Sequence, residues 1–132
     1  MNVWDHTMLA LSLSKNQFKT RLSLLLHDVG KPLCYQQNGE IRHFRGHGEK
    51  SAIIAGDVLL RLEFDKAFAN DVIRIVQMHD VALTDKDLSC DPKLSAQIFE
   101  VQRCDALAHN PSYNEKRLAY IAKIQNMLDE KK

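Results

Sequence analysis

Several histidines and carboxylates of this chain stand where polar side chains are least expected, on apolar helical stripes. His6 falls in line with Leu9, Ala10 and Leu13, and His47 with Ser51, Ile54, Ala55 and Val58. His79 closes the stripe Val72, Ile75, Val76, and Asp105 lies in the stripe Leu94, Ile98, Val101, Ala108. Each spacing is i, i+3, i+4, i+7 or close to it, which turns the polar side chain toward the core. A buried carboxylate is costly unless it is paired or bound to a metal. Asp105 therefore needs partners, and the histidines are the obvious supply. Imidazole nitrogen and carboxylate oxygen suit borderline and hard divalent ions: manganese, iron, nickel, cobalt, zinc or magnesium.

The pair His27-Asp28 ends an apolar helical segment. Adjacent residues point about 100° apart on a helix, but a metal near the helix edge can meet both. Asp28 then has a second oxygen for a neighbouring metal. Gly30 and Pro32 break the chain just beyond and leave that end open, where Lys31 can meet a phosphate as a point charge. Taken singly, each of these histidines reads as a hydrogen-bonded core residue and Lys31 as a solvated lysine. On spacing alone Arg42, Arg45 and Arg74 read as solvated, His43 as part of a hairpin, and His109 as a cation at a helix end.

The elements that must position these groups are helices. Expected spans are Trp4 to Ser14, Asn16 to Asp28 with Phe18, Leu22, Leu25 and Leu26 on one stripe, Gly48 to Leu62, and Lys66 to His79. Val81 to Cys90 reads as a connector. Asp91-Pro92 reads as an N-cap followed by proline at the first helical position, opening a helix from Lys93 to Ala108. Asn110-Pro111 breaks it, and Ser112-x-x-Glu115 is a capping box for a last helix to Leu128, with 129–132 frayed. Leu33 to Phe44 is the non-helical stretch, with Asn38-Gly39 as a hairpin turn signal. The fold class is all-α, with 1–132 as a single domain.

Composition agrees. Apolar residues are 45% and charged residues 27% of the 132, an ordinary globular balance. A net charge of +1 gives no strong nucleic-acid surface and no acidic tail. Cys34, Cys90 and Cys104 are odd in number and lack C-x-x-C spacing, which fits a reducing compartment. With no signal peptide pattern and no apolar run of membrane-spanning length, the reading is a cytoplasmic protein without a membrane partner. Exposed apolar residues such as Phe64, Phe68 or Tyr120 could form an interface, but the simpler reading places them in the core.

The order His6, His27-Asp28, His47, His79, Asp105 resembles the HD superfamily of metal-dependent phosphohydrolases. The segments Leu25-Leu26-His27-Asp28-Val29-Gly30-Lys31-Pro32 and Phe44-Arg45-Gly46-His47-Gly48-Glu49 are similar to the HD region of bacterial tRNA nucleotidyltransferases (CCA-adding enzymes). So are the opening Val3-Trp4-Asp5-His6-Thr7 and the ending Cys104-Asp105-Ala106-Leu107-Ala108-His109-Asn110. The resemblance runs from about residue 3 to 128. It implies an HD-domain helical bundle with a small hairpin or loop after the HD helix. It also implies His6, His27, Asp28 and Asp105 as ligands of a first metal, with His47 and His79 adding a second and Asp28 bridging. A nucleotidyltransferase needs a separate head domain with paired carboxylates, which nothing here supplies, so CCA addition is not expected. No GYP element follows the HD pair, so the cyclic-di-GMP phosphodiesterase subgroup is not expected either.

The expected activity is therefore hydrolysis of a nucleotide or related phosphate mono- or diester, including 2′,3′-cyclic phosphates, with one or two divalent ions. Asp28 and Lys31 are the catalytic candidates, and Lys31 and Arg45 the candidates for binding the small phosphate-ester substrate. Two rivals use the same residues: a two-iron oxygenase of HD type, and a non-catalytic binding or regulatory module.

Overall fold

The computed structural model describes residues 2–33, 36–38, 41–43, 46–109 and 114–130, with the backbone alone for 36–38 and 41–43. Seven helices are found among the described residues: α1 (Val3–Leu13), α2 (Phe18–Leu26), α3 (His47–Arg61), α4 (Lys66–Met78), α5 (Asp85–Cys90), α6 (Pro92–Leu107) and α7 (Glu115–Glu130). A 3-10 turn over Lys31–Leu33 follows α2 and leads to two short antiparallel strands, β1 (Gln36–Asn38) and β2 (Ile41–His43), with Asn38 opposite Ile41. The hairpin is thus where Asn38-Gly39 placed it, although Gly39 itself lies outside the described residues. Among the described residues, no helix is long and apolar enough to cross a membrane.

Side chains make the starts of α1, α4 and α6. Asn2 accepts from the Asp5 N–H, Asp65 from that of Phe68, and Asp91 from that of Leu94, with Pro92 at the first helical position. The Ser112 capping box lies outside the described residues. The stretch expected as a connector holds a helix, α5. Thr84 accepts from the Asp87 N–H while the Asp87 carboxylate accepts from the Thr84 N–H, a reciprocal box that sustains six residues. The C-terminal tail also differs from expectation, since α7 stays helical through Glu130.

Helix α2 packs against α1, α3, α4 and α6 and so takes a central place. Its buried face is only in part the apolar stripe of Phe18, Leu22, Leu25 and Leu26, of which Leu26 is buried and Leu22 half-buried. Phe18 and Leu25 are exposed, and Thr20, Ser23 and Leu24 are fully buried. The two hydroxyls can be buried because each donates to a carbonyl of the preceding turn, Thr20 to Gln17 and Ser23 to Lys19. Phe18 instead stacks outside on Phe64 and Phe68, which are half-buried.

The core has two apolar clusters. One joins Leu24 and Ile75 to Leu88, Ile98, Val101 and Ile124; the other joins Leu26 and Val76 to Ala52, Ala55, Leu59 and Val72. Leu24 and Leu26 of α2, and Ile75 and Val76 of α4, face different clusters. The C-terminal ends of α2 and α4 therefore meet on the seam between the two. Gly30 makes the approach of α3 to this seam possible. A Cβ there would lie 2.5 Å from the Ser51 backbone nitrogen, and the Gly30 N–H instead donates to Ser51 Oγ at 2.8 Å.

Candidate metal centre

His27 and His79 are built the same way. Each is the residue that caps a helix C-terminus, His27 on α2 and His79 on α4. There the last carbonyls lack intrahelical partners. His27 Nδ1 lies 2.5 Å from the Leu24 carbonyl, and His79 Nδ1 lies 2.6 Å from that of Val76. A carbonyl only accepts, so each Nδ1 carries the proton and donates it. That fixes the tautomer and aims each Nε2 inward. His6 comes from α1, Asp105 from the last turns of α6, and His47 is the first residue of α3, just after Gly46 at a positive φ of 75°.

All six expected residues converge on Asp28, in two groups. His6, His27, Asp28 and Asp105 each offer one ligand atom, all within 4.8 Å of one another, and Asp28, His47 and His79 do the same. The groups use different oxygens of Asp28. Oδ2 lies 3.2 Å from His27 Nε2 and 3.5 Å from His6 Nε2. Oδ1 lies 3.4 Å from the Nε2 atoms of both His47 and His79. Asp105 Oδ1 closes the first group at 2.6 Å from His6 Nε2 and 3.1 Å from His27 Nε2.

The chemistry of this arrangement favours cations. Asp28 is 1% exposed, yet neither of its oxygens has an aligned hydrogen bond. A carboxylate so buried costs several kcal/mol unless the charge is met. Burial opposes ionisation of Asp28, but the imidazoles of His27 and His79 and the charges of His27 and Lys31 outweigh it and hold the carboxyl well below its usual range. Asp105 is held low too, with burial outweighed by His109, His27 and His6. Burial likewise opposes a charge on His27, yet Asp105 and Asp28 push it up to about 10. A positive charge is thus favoured between the two carboxylates. In the second group, the Nε2 atoms of His47 and His79 face each other at 3.0 Å. Two inward lone pairs at that distance repel unless a proton or a cation lies between them. Four imidazoles and two carboxylates turned toward one another fit divalent ions.

Around this cluster, Lys31 leans over Asp28 rather than into solvent, its Nζ 3.2 Å from Oδ2. Arg45 lies outside the described residues. Three neighbours escaped the sequence reading. His109, taken as a helix-end cation, packs on His6 with ring centroids 4.5 Å apart and planes tilted by 37°, and places Nε2 3.6 Å from Asp105 Oδ1. Its i, i+4 relation to Asp105 on α6 was a usable signal. Asp80 Oδ2 lies 3.8 Å from His47 Nδ1, on the far side of that ring. Arg117 of α7 places Nη1 3.5 Å from Asp105 Oδ2. Cys104 is beside Asp105, but burial and the Glu100 carboxylate push its thiol up to about 12, so it packs as a neutral group.

Known proteins bear on this centre in two ways. The model of the HD domain family matches residues 2–123, nearly the whole chain. A CC-adding tRNA nucleotidyltransferase of Thermus thermophilus is 36% identical over 83 residues, 58% of this chain and 19% of that enzyme. The chain therefore spans about a fifth of the length of that relative. No solved structure matches. The resemblance read from the HDxGKP and GHGE segments is thus matched at the level of both the family and the tRNA nucleotidyltransferase branch, and the chain belongs to the HD domain family.

Proposed function

We propose that the chain is a cytoplasmic metal-dependent phosphohydrolase acting on a nucleotide or a related phosphate mono- or diester, 2′,3′-cyclic phosphates included. One observation carries this: a single buried carboxylate, Asp28, presents one oxygen to each of two groups of inward-facing imidazoles. Under this reading His6, His27, Asp28 and Asp105 hold one divalent ion, and Asp28, His47 and His79 hold the other. Divalent ions held by these residues would supply Lewis acidity, lowering the pKa of water toward neutrality and offsetting charge on phosphoryl oxygens.

The protein's own part follows from the geometry. Asp28 bridges the two groups, and its ionised state is held by the imidazoles and by Lys31. Lys31 Nζ stands over the bridging carboxylate, where its charge can also meet a phosphate oxygen. The second group has three protein ligands, the number that leaves positions open for water and substrate. Arg45 directly precedes the Gly46-His47 turn and is the second phosphate-binding candidate. Addition of nucleotides to tRNA is not proposed, since the chain corresponds to only a fifth of the relative that does it.

The test is phosphate release from a panel of nucleoside monophosphates and 2′,3′-cyclic phosphates with manganese, nickel or magnesium added. Metal-dependent release from at least one ester is expected. Metal binding without any release would defeat the reading. Oxygen uptake by the iron-loaded chain would replace it with the oxygenase.

A further inference from the structure

A pocket of about 290 Å³ opens beside the metal centre, between the connector that follows α4 and the first turns of α7. None of the motif residues of the HDxGKP or GHGE segments lines it. Its wall carries His79 and Asp105, one residue from each side of Asp28, so a ligand in this pocket faces both groups. Arg117 stands on the same wall and touches Asp105 through one long contact, Nη1 to Oδ2 at 3.5 Å. A guanidinium has five N–H donors in a rigid fork, and this contact engages one of its nitrogens. The side chain is half exposed, so an anion can reach the others.

The rest of the wall is mixed, with Asp80 and Lys116 charged and Gln102 polar. Val81, Ala82 and Ile121 are apolar, and the ring of Tyr120 is fixed beside them. Its hydroxyl donates to Gln102 Oε1 at 2.8 Å and accepts from the Leu83 N–H at 2.8 Å. The pocket thus has the half-exposed Arg117 guanidinium beside the metal centre and a rigid flank with an apolar stretch. Its size is at the small end for ligand clefts, which run roughly 300–1,000 Å³. That suits a mononucleotide or smaller ester, not a stretch of RNA.

We infer that Arg117 binds the anionic group of the substrate at the metal centre, and that the organic half of the ester lies along Val81, Ala82 and Ile121. The identity of the anion as a phosphate rests on the phosphohydrolase reading above. Arg117 approaches the metal centre from α7, while Lys31, outside this pocket, reaches Asp28 from the 3-10 turn after α2. The planar fork of Arg117 can engage two phosphate oxygens at once.

The experiment is calorimetric titration of the manganese-loaded full chain with adenosine 5′-monophosphate and, separately, inorganic phosphate. Arg117→Gln is expected to weaken both probes roughly tenfold to a hundredfold, the range for a lost hydrogen bond to a charged group, at unchanged manganese content. Arg117→Lys should recover part of the loss. Ala82→Trp, a change at an exposed position on the pocket flank, should weaken the nucleotide about tenfold and leave inorganic phosphate unaffected. Unchanged affinities in Arg117→Gln overturn the inference. So does loss of manganese along with affinity, because Arg117 would then act only by holding Asp105. Equal affinity of Ala82→Trp for the nucleotide overturns the placement of the organic half, and a wild-type chain that binds neither probe overturns the whole. If the wild type binds both probes in an Arg117-dependent way but releases phosphate from no ester, this inference stands and the phosphohydrolase reading falls.

Discussion

The two sides of Asp28 are built differently. On the Oδ2 side stand His6, His27 and Asp105, all buried, drawn from α1, α2 and α6, with a second carboxylate among them. On the Oδ1 side stand His47 and His79, placed where α3 begins and α4 ends, and among the described residues no carboxylate but Asp28 joins that ligand group. His47 is the least buried of the five partners and follows Gly46, whose left-handed backbone leaves α3 without a side-chain cap. A site with four protein ligands and two carboxylates should hold its metal tightly. A site with three ligands, one of them on a helix's first residue, should exchange its metal and keep room for water and substrate. Under the proposed function, tenure and turnover would then be divided between the two oxygens of one carboxylate.

The largest break comes from the shared residue. Asp28→Ala should remove both metals and lower activity by more than about 100-fold, since even residues that only support metal ligands cost about 10–100-fold. Elemental analysis beside phosphate release checks this, and full metal content with full turnover would show that Asp28 does not join the groups. Next come the variants that separate the sides. Asp105→Ala should lose the Oδ2-side metal and lower the melting temperature, because it strips His6 and His27 of a buried partner. His79→Ala should lose only the Oδ1-side metal, keep about one ion per chain and abolish turnover. Loss of both ions in His79→Ala, or full metal content in Asp105→Ala, would erase the distinction between the sides.

Smaller effects sharpen it. Chelator should strip the two metals in two phases, with activity lost in the first; a single phase would contradict unequal tenure. Lys31→Ala should leave both metals in place and weaken phosphate substrates about tenfold, read as a rise in KM. Thr84→Ala is the control remote from the centre. It breaks the α5 capping box and should cost about 1 kcal/mol of stability while metal content stays at the wild-type level. Asp87 belongs to the same box. Its backbone hydrogen bond at Thr84 holds its carboxyl below the usual value. That contribution is therefore present above the ordinary carboxylate range and fades as pH falls below it, visible as a slight acid loss of melting temperature.

Much of this centre was legible in the sequence because its residues broke a pattern. His79 and Asp105 interrupt largely buried stripes, Val72, Ile75 and Val76 for one, and Ile98, Val101 and Ala108 with the half-buried Leu94 for the other. The position of His27-Asp28 before Gly30 also pointed to a helix end, and the buried Gly30 confirms how close α3 comes. What stayed hidden depended on neighbours. The buried face of α2 joins Leu24 and Leu26 to Thr20 and Ser23, whose hydroxyls are satisfied by carbonyls of the preceding turn, so hydrophobic periodicity found Leu26 but missed the polar part of that face. Helix α5 is short and rests on a reciprocal side-chain box, which an apolar pattern does not report. Arg117 is exposed, on a helix with a single fully buried residue, Ile124. Its nearness to Asp105 comes only from the packing of α7 on α6, which no local spacing encodes.

The most direct measurement is the metal content of the wild-type chain, purified without chelator and saturated with manganese before desalting. Two ions per chain, one of them released well before the other, is the expected result. No bound metal, or a single ion at saturation with His47 and His79 intact, would contradict the bridging role of Asp28.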